Sequence, residues 1–221
     1  MEKGWKLYWD KTNTYYRQNL DPQNIPPHRW GYEFLFGEIF DWEYSGTKCI
    51  YEMWNCHISK DDIVVDLGAN VGFFTHYAAT KASQVIAIEG GHEVFSCLVE
   101  NTSELGNVKY LNASVLGKNR NLPFLWSPKG NPHYLGIEDV FRIFDLEKIN
   151  FLKCDIEGGE YDLLMNMDPE ILSKIDKIAV ETHDITKTEN FYLPGKTRHT
   201  FYWDINQDGQ CQVMCYFVPS Y

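Results

Sequence analysis

Four acidic residues lie where apolar, β-branched stretches of the sequence end. These residues are Asp66, Glu89, Asp155 and Glu181. A carboxylate in such a place can accept hydrogen bonds from sugar hydroxyls, balance the charge of a cationic ligand or take a proton from a substrate hydroxyl. The spacing therefore predicts one site that is assembled from the ends of several strands.

The elements that must position these acids alternate between strand and helix patterns. Strands are predicted at 61–66, 84–89, 107–114, 149–157 and 176–184. Helices are predicted at 71–81, 92–105, 137–144 and 160–167, with others around 29–40 and 46–57 and a short strand at 122–126. Two late runs flank a turn at 207–209 and predict a hairpin.

This order predicts an α/β fold with a doubly wound, mainly parallel seven-stranded sheet and a C-terminal antiparallel hairpin. Ligands of such sheets bind beyond the carboxyl ends of the strands. The length of 221 residues predicts one main core. We expect an aromatic-rich helical or irregular segment at 1–58 that packs on a Rossmann-like domain at 59–221.

The overall composition argues against nucleic acid, a membrane and a zinc ion as binding partners. A formal net charge of -11 opposes binding to nucleic acid, because phosphate contacts need clustered Lys and Arg. The sequence has neither an apolar run of roughly 20 residues nor an apolar leader, so we expect a cytoplasmic protein without a membrane partner. Its six cysteines form no CxxC pair, which predicts reduced thiols rather than a zinc site.

The stretch DLGANVG (66–72) predicts a strand that turns sharply into a helix above a ligand. A dinucleotide loop has the pattern G-x-G-x-x-G, whereas alignment on Gly68 places Asn70 and Phe73 at its second and third glycine positions. Their side chains oppose the close approach of a diphosphate. S-adenosylmethionine, which has a sulfonium cation and no phosphate, fits this loop better.

The predicted cofactor site continues along the next two strand ends. Glu89, about twenty residues beyond the loop, is placed to accept hydrogen bonds from ribose hydroxyls. Asn112, Ala113 and Ser114 end the third strand, where small groups can contact adenine, and His92 lies near the same end. The full predicted cofactor set is Asp66, Gly68, Ala69, Asn70, Gly72, Phe73, Glu89, Gly90, Asn112, Ala113, Ser114 and Asp155.

Together with the loop and Glu89, the stretch KCDIEGGEYDLL (153–164) resembles the FkbM family of S-adenosylmethionine-dependent methyltransferases. The similar blocks span roughly residues 60 to 184, and the D-x-E-G-x-E element is the most specific of them. The resemblance implies a seven-stranded Rossmann-like fold and methyl transfer to a hydroxyl oxygen of a sugar, glycan or small natural product. It says little about residues 1–50 and 185–221.

An alcohol acceptor must lose its proton, which requires a base near the transferable methyl group. Asp155, Glu157, Glu181 and His183 are the predicted catalytic residues, with His183 a candidate base near neutral pH. Glu160 either joins them or complements a helix dipole. A divalent metal on Asp155, Glu181 and His183 is an alternative that we considered without predicting a metal site.

Two other functions stay open on the sequence alone. The first is a nicotinamide-dependent oxidoreductase, since the ribose acid is common to both cofactor types. The second is a protein of the same fold that binds an adenosine ligand without catalysis. The stretch 184–200 is expected to be a long insertion near the substrate.

Overall fold

The computed structural model describes residues 49–118, 134–205 and 211–220. The predicted helix at 29–40, the predicted short strand at 122–126 and the predicted turn at 207–209 lie outside this part of the chain. Within it the structure has nine strands and six helices. The strands are β1 Ile63–Leu67, β2 Gln84–Glu89, β3 Val108–Asn112, β4 Ser114–Val115, β5 Tyr134–Leu135, β6 Ile149–Cys154, β7 Ile175–Thr182, β8 Lys196–Ile205 and β9 Cys211–Pro219. The helices are α1 Phe73–Ala79, α2 His92–Thr102, α3 Ile137–Phe144, α4 Glu160–Met165, α5 Pro169–Ser173 and α6 Ile185–Thr188.

Seven strands form one sheet in the order β3-β2-β1-β6-β7-β9-β8. The strands from β3 to β7 are parallel, whereas β9 is antiparallel to both β7 and β8. The chain reverses its direction of travel across the sheet between β1 and β6, which creates the switch point where such folds bind ligands. The predicted α/β class, the seven strands and the C-terminal hairpin are confirmed.

The central strands are mainly apolar because both faces of the sheet are covered. Val64 and Phe151 lie on one face with Phe74 of α1. Val65 and Leu152 lie on the other face, in a core shared with α3, α4 and α5. Alternate residues of one strand therefore pack into the cores on opposite faces of the sheet. The polar residues lie at the carboxyl ends of the strands.

Two predicted elements differ from the structure. Residues 49–58 contain turns where a helix at 46–57 was expected, with Trp54 and Asn55 at positive φ angles of 54° and 64°. The buried Glu52 carboxylate accepts the Ile58 amide and contacts Lys81, so tertiary contacts hold this segment on α1. The stretch 184–200 is also shorter as a loop than expected, because it contains α6 and the start of β8.

The ends of β6 and β7 were predicted three and two residues too far along the chain. β6 ends at Cys154 and β7 ends at Thr182, so Asp155, Glu157 and His183 lie in the turns that follow. The site residues therefore lie on short turns that a buried sheet holds in place.

None of the helices in the described ranges is both long and apolar enough to cross a bilayer.

Candidate functional site

The glycine loop joins β1 to α1 through three residues with positive φ angles. These are Gly68 at 73°, Asn70 at 51° and Gly72 at 99°. Asn70 therefore adopts left-handed backbone angles, which asparagine tolerates better than most residues. The amides of Gly68 and Ala69 both donate to the Ile88 carbonyl, which fixes the loop against the end of β2.

Glu89 stabilises this loop from the end of β2. Its Oε2 accepts the Asn70 amide at 3.0 Å and its Oε1 accepts the Gly91 amide at 2.7 Å. Burial raises the pKa of the Glu89 carboxyl group, and the two amide donors oppose that rise. Each oxygen still has an acceptor site for a ligand hydroxyl, which agrees with the predicted ribose contact.

The end of β3 packs against the same corner. The Asn112 amide donates to the Glu89 carbonyl at 2.7 Å, and its Oδ1 lies 3.2 Å from His92 Nδ1. A Cβ atom on Gly90 would lie 2.2 Å from Ser114 Oγ, so only glycine fits there without a shift of Ser114. Ala113 is buried, and its amide donates to the Glu89 carbonyl. The predicted adenosine residues are thus brought together.

Two members of the predicted cofactor set have side chains inside the protein. Phe73 is the first residue of α1 and its side chain is packed in the core, so only its backbone borders the loop. Asp66 is fully buried, and its Oδ2 accepts the Thr75 hydroxyl at 2.6 Å. The Asp66 carboxylate therefore connects the end of β1 to α1. The sequence predicted a negative charge beside a cationic ligand at this position, and that role stays a prediction.

Lys153 is a buried cation that sequence reasoning did not assign. Its Nζ donates to the Gly68 carbonyl at 2.7 Å and lies 3.3 Å from Asp66 Oδ1 and 3.6 Å from Asp155 Oδ2. Burial disfavours its charge, but Asp66 and Asp155 outweigh that effect and raise the pKa of Lys153. A lysine inside the apolar strand INFLKC was a usable signal, because a buried charge requires a partner.

Asp155 and Glu181 face each other across the ends of β6 and β7. The Tyr51 hydroxyl lies between them, 3.4 Å from Asp155 Oδ2 and 3.2 Å from Glu181 Oε2. Asp155 Oδ1 is buried, and within the described ranges it has no hydrogen-bond partner. Such an atom is costly unless a donor reaches it, so it fits the ammonium or hydroxyl group of a bound ligand.

His183 lies among acids in the turn after β7. Its Nδ1 is 3.4 Å from Glu160 Oε1, and its Nε2 is 3.7 Å from Glu157 Oε2 and 3.8 Å from Glu181 Oε1. Glu160 is buried and also accepts the Gly158 amide, so it belongs to the site rather than only to the start of α4.

The charges in this group determine which residue can take a proton. Burial lowers the pKa of His183, but Glu160, Asp155 and Glu181 outweigh it and raise the pKa to about 10. Burial, followed by the charge of Asp155, raises the pKa of Glu181 to about 8. The surrounding acids therefore favour the protonated form of His183 at neutral pH, a form less suited to act as the predicted base, whereas the pKa of the Glu181 carboxyl group lies near neutrality.

The acids and the imidazole around His183 could also bind a metal ion. Donor atoms of Asp155, Glu157 and His183 lie within 4.8 Å of one another, so Glu157 stands where the sequence suggested Glu181. Glu157 is largely exposed, and His183 already pairs with Glu160. The cluster is a network of carboxylates around the imidazole ring of His183.

The arrangement fits S-adenosylmethionine better than a dinucleotide. Six acidic groups and two basic groups, Lys153 and His183, lie around the strand ends in the described part of the chain. This excess of acidic groups favours a sulfonium over a diphosphate. Glu89 and the unpartnered oxygen of Asp155 supply acceptors for the hydroxyl and ammonium groups of that ligand.

Comparisons with known proteins point to the same chemistry, although no family model matches the sequence. The chain is 30% identical to Methyltransferase 1 of Beauveria bassiana over 193 residues, which covers 69% of this chain and 74% of that protein. It is 28% identical to the Hexuronic acid methyltransferase AglP of Haloferax volcanii over 148 residues, covering 58% of this chain and 61% of AglP.

Relatives that act on RNA are also present. The chain is 29% identical over 103 residues to the Ribosomal RNA small subunit methyltransferase A of Syntrophus aciditrophicus, covering 47% of this chain and 34% of that protein. Among solved structures, an rRNA methylase from Streptococcus thermophilus has a TM-score of 0.50 at 12% identity, covering 74% of this chain and 90% of that chain. That likeness concerns the fold alone.

Proposed function

Because the chain belongs to the methyltransferase family that includes Methyltransferase 1 of Beauveria bassiana, we propose that it methylates a hydroxyl oxygen of a sugar or small natural product. S-adenosylmethionine supplies the methyl group, with the sulfonium as leaving group. The resemblance of residues 153–164 to the FkbM methyltransferases supports the same assignment. The observation that carries the proposal is the excess of carboxyl groups at the strand ends around a loop that has Asn70 and Phe73 where a dinucleotide loop has glycines.

Glu89 and Asn70 form the cofactor end of the proposed site. The Glu89 carboxylate is held by the amides of Asn70 and Gly91, and its remaining lone pairs bind the two ribose hydroxyls. Asp155 Oδ1 accepts a hydrogen bond from the ammonium group of the same ligand. These contacts bind substrate and transition state alike, so their removal weakens affinity more than turnover.

Glu181 is the proposed base. As the acceptor oxygen forms its bond to the methyl carbon and the carbon–sulfur bond breaks, the acceptor proton passes to the Glu181 carboxylate. The pKa of about 8 is close to neutrality, and the positive charge of the bound sulfonium favours the ionised carboxylate. The sulfonium becomes a neutral thioether and the Glu181 carboxylate becomes a neutral carboxyl group, so the net charge of the site does not change.

His183 acts in this scheme as a fixed cation. It lies against Glu160 and Glu157 and is protonated at neutral pH. Its charge offsets some of the repulsion between Asp155, Glu157 and Glu181, which allows these carboxylates to remain close together. Glu157, the most exposed of them, faces solvent and is placed to contact the acceptor.

The proposed acceptor is a polyhydroxyl compound rather than a nucleic acid. AglP is named as a hexuronic acid methyltransferase, which favours a sugar. The ribosomal RNA relatives favour a nucleic acid instead. A net charge of -11 and a carboxylate-rich site oppose a polyanion. Cys49, Cys56, Cys97, Cys154 and Cys215 are free thiols, which supports the proposed cytoplasmic location.

Titration calorimetry with S-adenosylmethionine, S-adenosylhomocysteine and NAD tests the cofactor. We expect binding of the two sulfur nucleosides and none of NAD. Binding of NAD alone would contradict the proposal and support an oxidoreductase. Transfer of a labelled methyl group to neutral sugars, uronic acids and RNA then tests the acceptor. The Glu181→Gln variant serves as the inactive control, and labelling of RNA alone would overturn the sugar assignment.

A further inference from the structure

Tyr51 lies in a segment that sequence reasoning placed outside the catalytic domain, yet its ring is fully packed against the site. The ring meets Phe74 edge-on at 5.1 Å between centroids, and Lys153 Nζ lies 5.4 Å from its centre. Tyr51 is 4% exposed. The ring therefore has a single well-defined position beside the ends of β6 and β7.

The backbone on both sides of Tyr51 is also anchored. The Tyr216 hydroxyl donates to the Ile50 carbonyl at 2.5 Å, and the Glu52 amide donates to the Cys49 carbonyl at 3.0 Å. The Glu52 carboxylate is bound by Lys81 and Tyr77 of the α1 region. These contacts are away from the carboxylates of the site, so they fix the phenol independently of any ligand.

The phenol has one proton to share between two carboxylates. Lys153 Nζ lies 3.6 Å from Asp155 Oδ2, and His183 Nε2 lies 3.8 Å from Glu181 Oε1. Both distances fit ion pairs and exceed hydrogen-bond distance. The Tyr51 hydroxyl at 3.2 Å is therefore the hydrogen-bond donor that holds the Glu181 carboxylate in the described part of the chain.

We infer that Tyr51 is a positioning residue of the methyl-transfer site, whose hydroxyl group orients the Glu181 carboxylate towards the acceptor hydroxyl. The role in transfer rests on the proposed function, whereas the contact itself does not. Tyr51 reaches neither the acceptor nor the cofactor in this scheme and acts through Glu181. A donor to the ionised carboxylate favours ionisation, so its loss makes Glu181 a weaker acid.

The groups that face Glu181 set the conditions of a test. They are Tyr51 from the N-terminal segment, Lys153, Asp155 and Glu157 from β6 and its turn, and His183 after β7. Tyr51→Phe removes one hydroxyl and keeps the ring contacts with Phe74 and Lys153. Tyr110→Phe is a matched control, since its hydroxyl donates to the Thr102 carbonyl far from these carboxylates.

The experiment is a pH titration of the ligand-free protein followed by ¹³C carboxyl NMR, with the Glu181 resonance assigned from Glu181→Gln. We expect Tyr51→Phe to raise the Glu181 midpoint by about one pH unit, the equivalent of one hydrogen bond, and Tyr110→Phe to leave it unchanged. An unchanged midpoint in Tyr51→Phe, or an equal shift in both variants, would overturn the inference.

A second measurement needs no variant. In the unmodified protein the ¹³Cζ resonance of Tyr51 should change with the same midpoint as the Glu181 carboxyl, and an independent midpoint would also overturn the inference. Because both titrations are done without ligand, they are separate from the calorimetry that tests cofactor binding. Failure of S-adenosylmethionine to bind would remove the proposed function and leave the Tyr51–Glu181 contact to be judged by its own result.

Discussion

The carbonyl oxygen of Asp155 occupies the space next to Gly68 that any side chain there would need. A Cβ atom on Gly68 would lie 1.7 Å from that oxygen. The Asp155 amide also donates to the Leu67 carbonyl at 3.1 Å, so the ends of β1 and β6 are in direct backbone contact. The cofactor loop and the proposed acceptor side of the site are therefore one rigid unit.

Gly68→Ala should strongly destabilise the protein, because the new methyl group collides with backbone and the φ angle of 73° is unfavourable. We expect a loss of about 2–5 kcal/mol in the free energy of unfolding, measured with urea. Gly195→Ala is the control, since Gly195 has the same φ angle with no atom within 4 Å of a Cβ. Equal losses would show that the Asp155 contact is unimportant.

Lys153→Met should leave Asp66 and Asp155 without their buried cation. We expect a loss of about 3–5 kcal/mol in the free energy of unfolding, and partial recovery when Asp66→Asn is added. Lys174→Met breaks an exposed pair with Glu170 and should cost about 0–1 kcal/mol. Similar losses in the free energy of unfolding for the two lysine variants would show that the buried contacts of Lys153 contribute no more than an exposed ion pair.

Glu89→Gln should weaken S-adenosylmethionine binding by about 1–3 kcal/mol, or roughly 5- to 150-fold, because one charged acceptor for ribose and backbone is lost. Calorimetry measures the change, and Glu170→Gln on the exposed face of α5 provides a control of equal charge change. An affinity equal to that of the unmodified protein would remove the ribose assignment of Glu89.

The stability of the protein should fall as the pH rises through the site's titration range. The pKa of Glu181 is about 8 in the folded state against 4.5 unfolded, and that of His183 is about 10 against 6.5. The folded state therefore holds more protons than the unfolded state between about pH 4.5 and 10, so stability is greatest at the acid end of this range.

The contribution of Glu181 can be separated by substitution. Glu181→Gln does not titrate, so its urea midpoint should depend less on pH between 5 and 8 than that of the unmodified protein. Urea unfolding at one-unit steps of pH measures both curves. Parallel curves would mean that Glu181 titrates as it does in an unfolded chain.

The prediction of the sheet succeeded where the pattern of the chain is locally strong. The runs that became β1, β2, β6 and β7 are apolar, bounded by turns and separated by helical patterns, so burial on both faces follows from composition. Their ends were less certain, because the change from strand to turn depends on backbone pairing with neighbours. Asp155 and His183 were for that reason assigned to strands although they follow them.

The segment 49–58 shows why local pattern was insufficient elsewhere. Its apolar residues allow a helix, but Glu52 is bound by Lys81 and by the Ile58 amide, which favours turns. Tyr51 was missed altogether, since nothing in its neighbours along the chain marks it as a site residue. Its contacts with Asp155 and Glu181 are 104 and 130 positions away.

The sequence by itself determined the α/β order, the glycine loop and the set of acids at the strand ends, because these depend on residue type and periodicity. Only the tertiary structure decided what each acid does, since charge, burial and distance to partners from other strands set its pKa. Folding buries Asp66 against Lys153, protonates His183 among carboxylates and leaves Glu181 beside Tyr51, and no local stretch of sequence contains those distances.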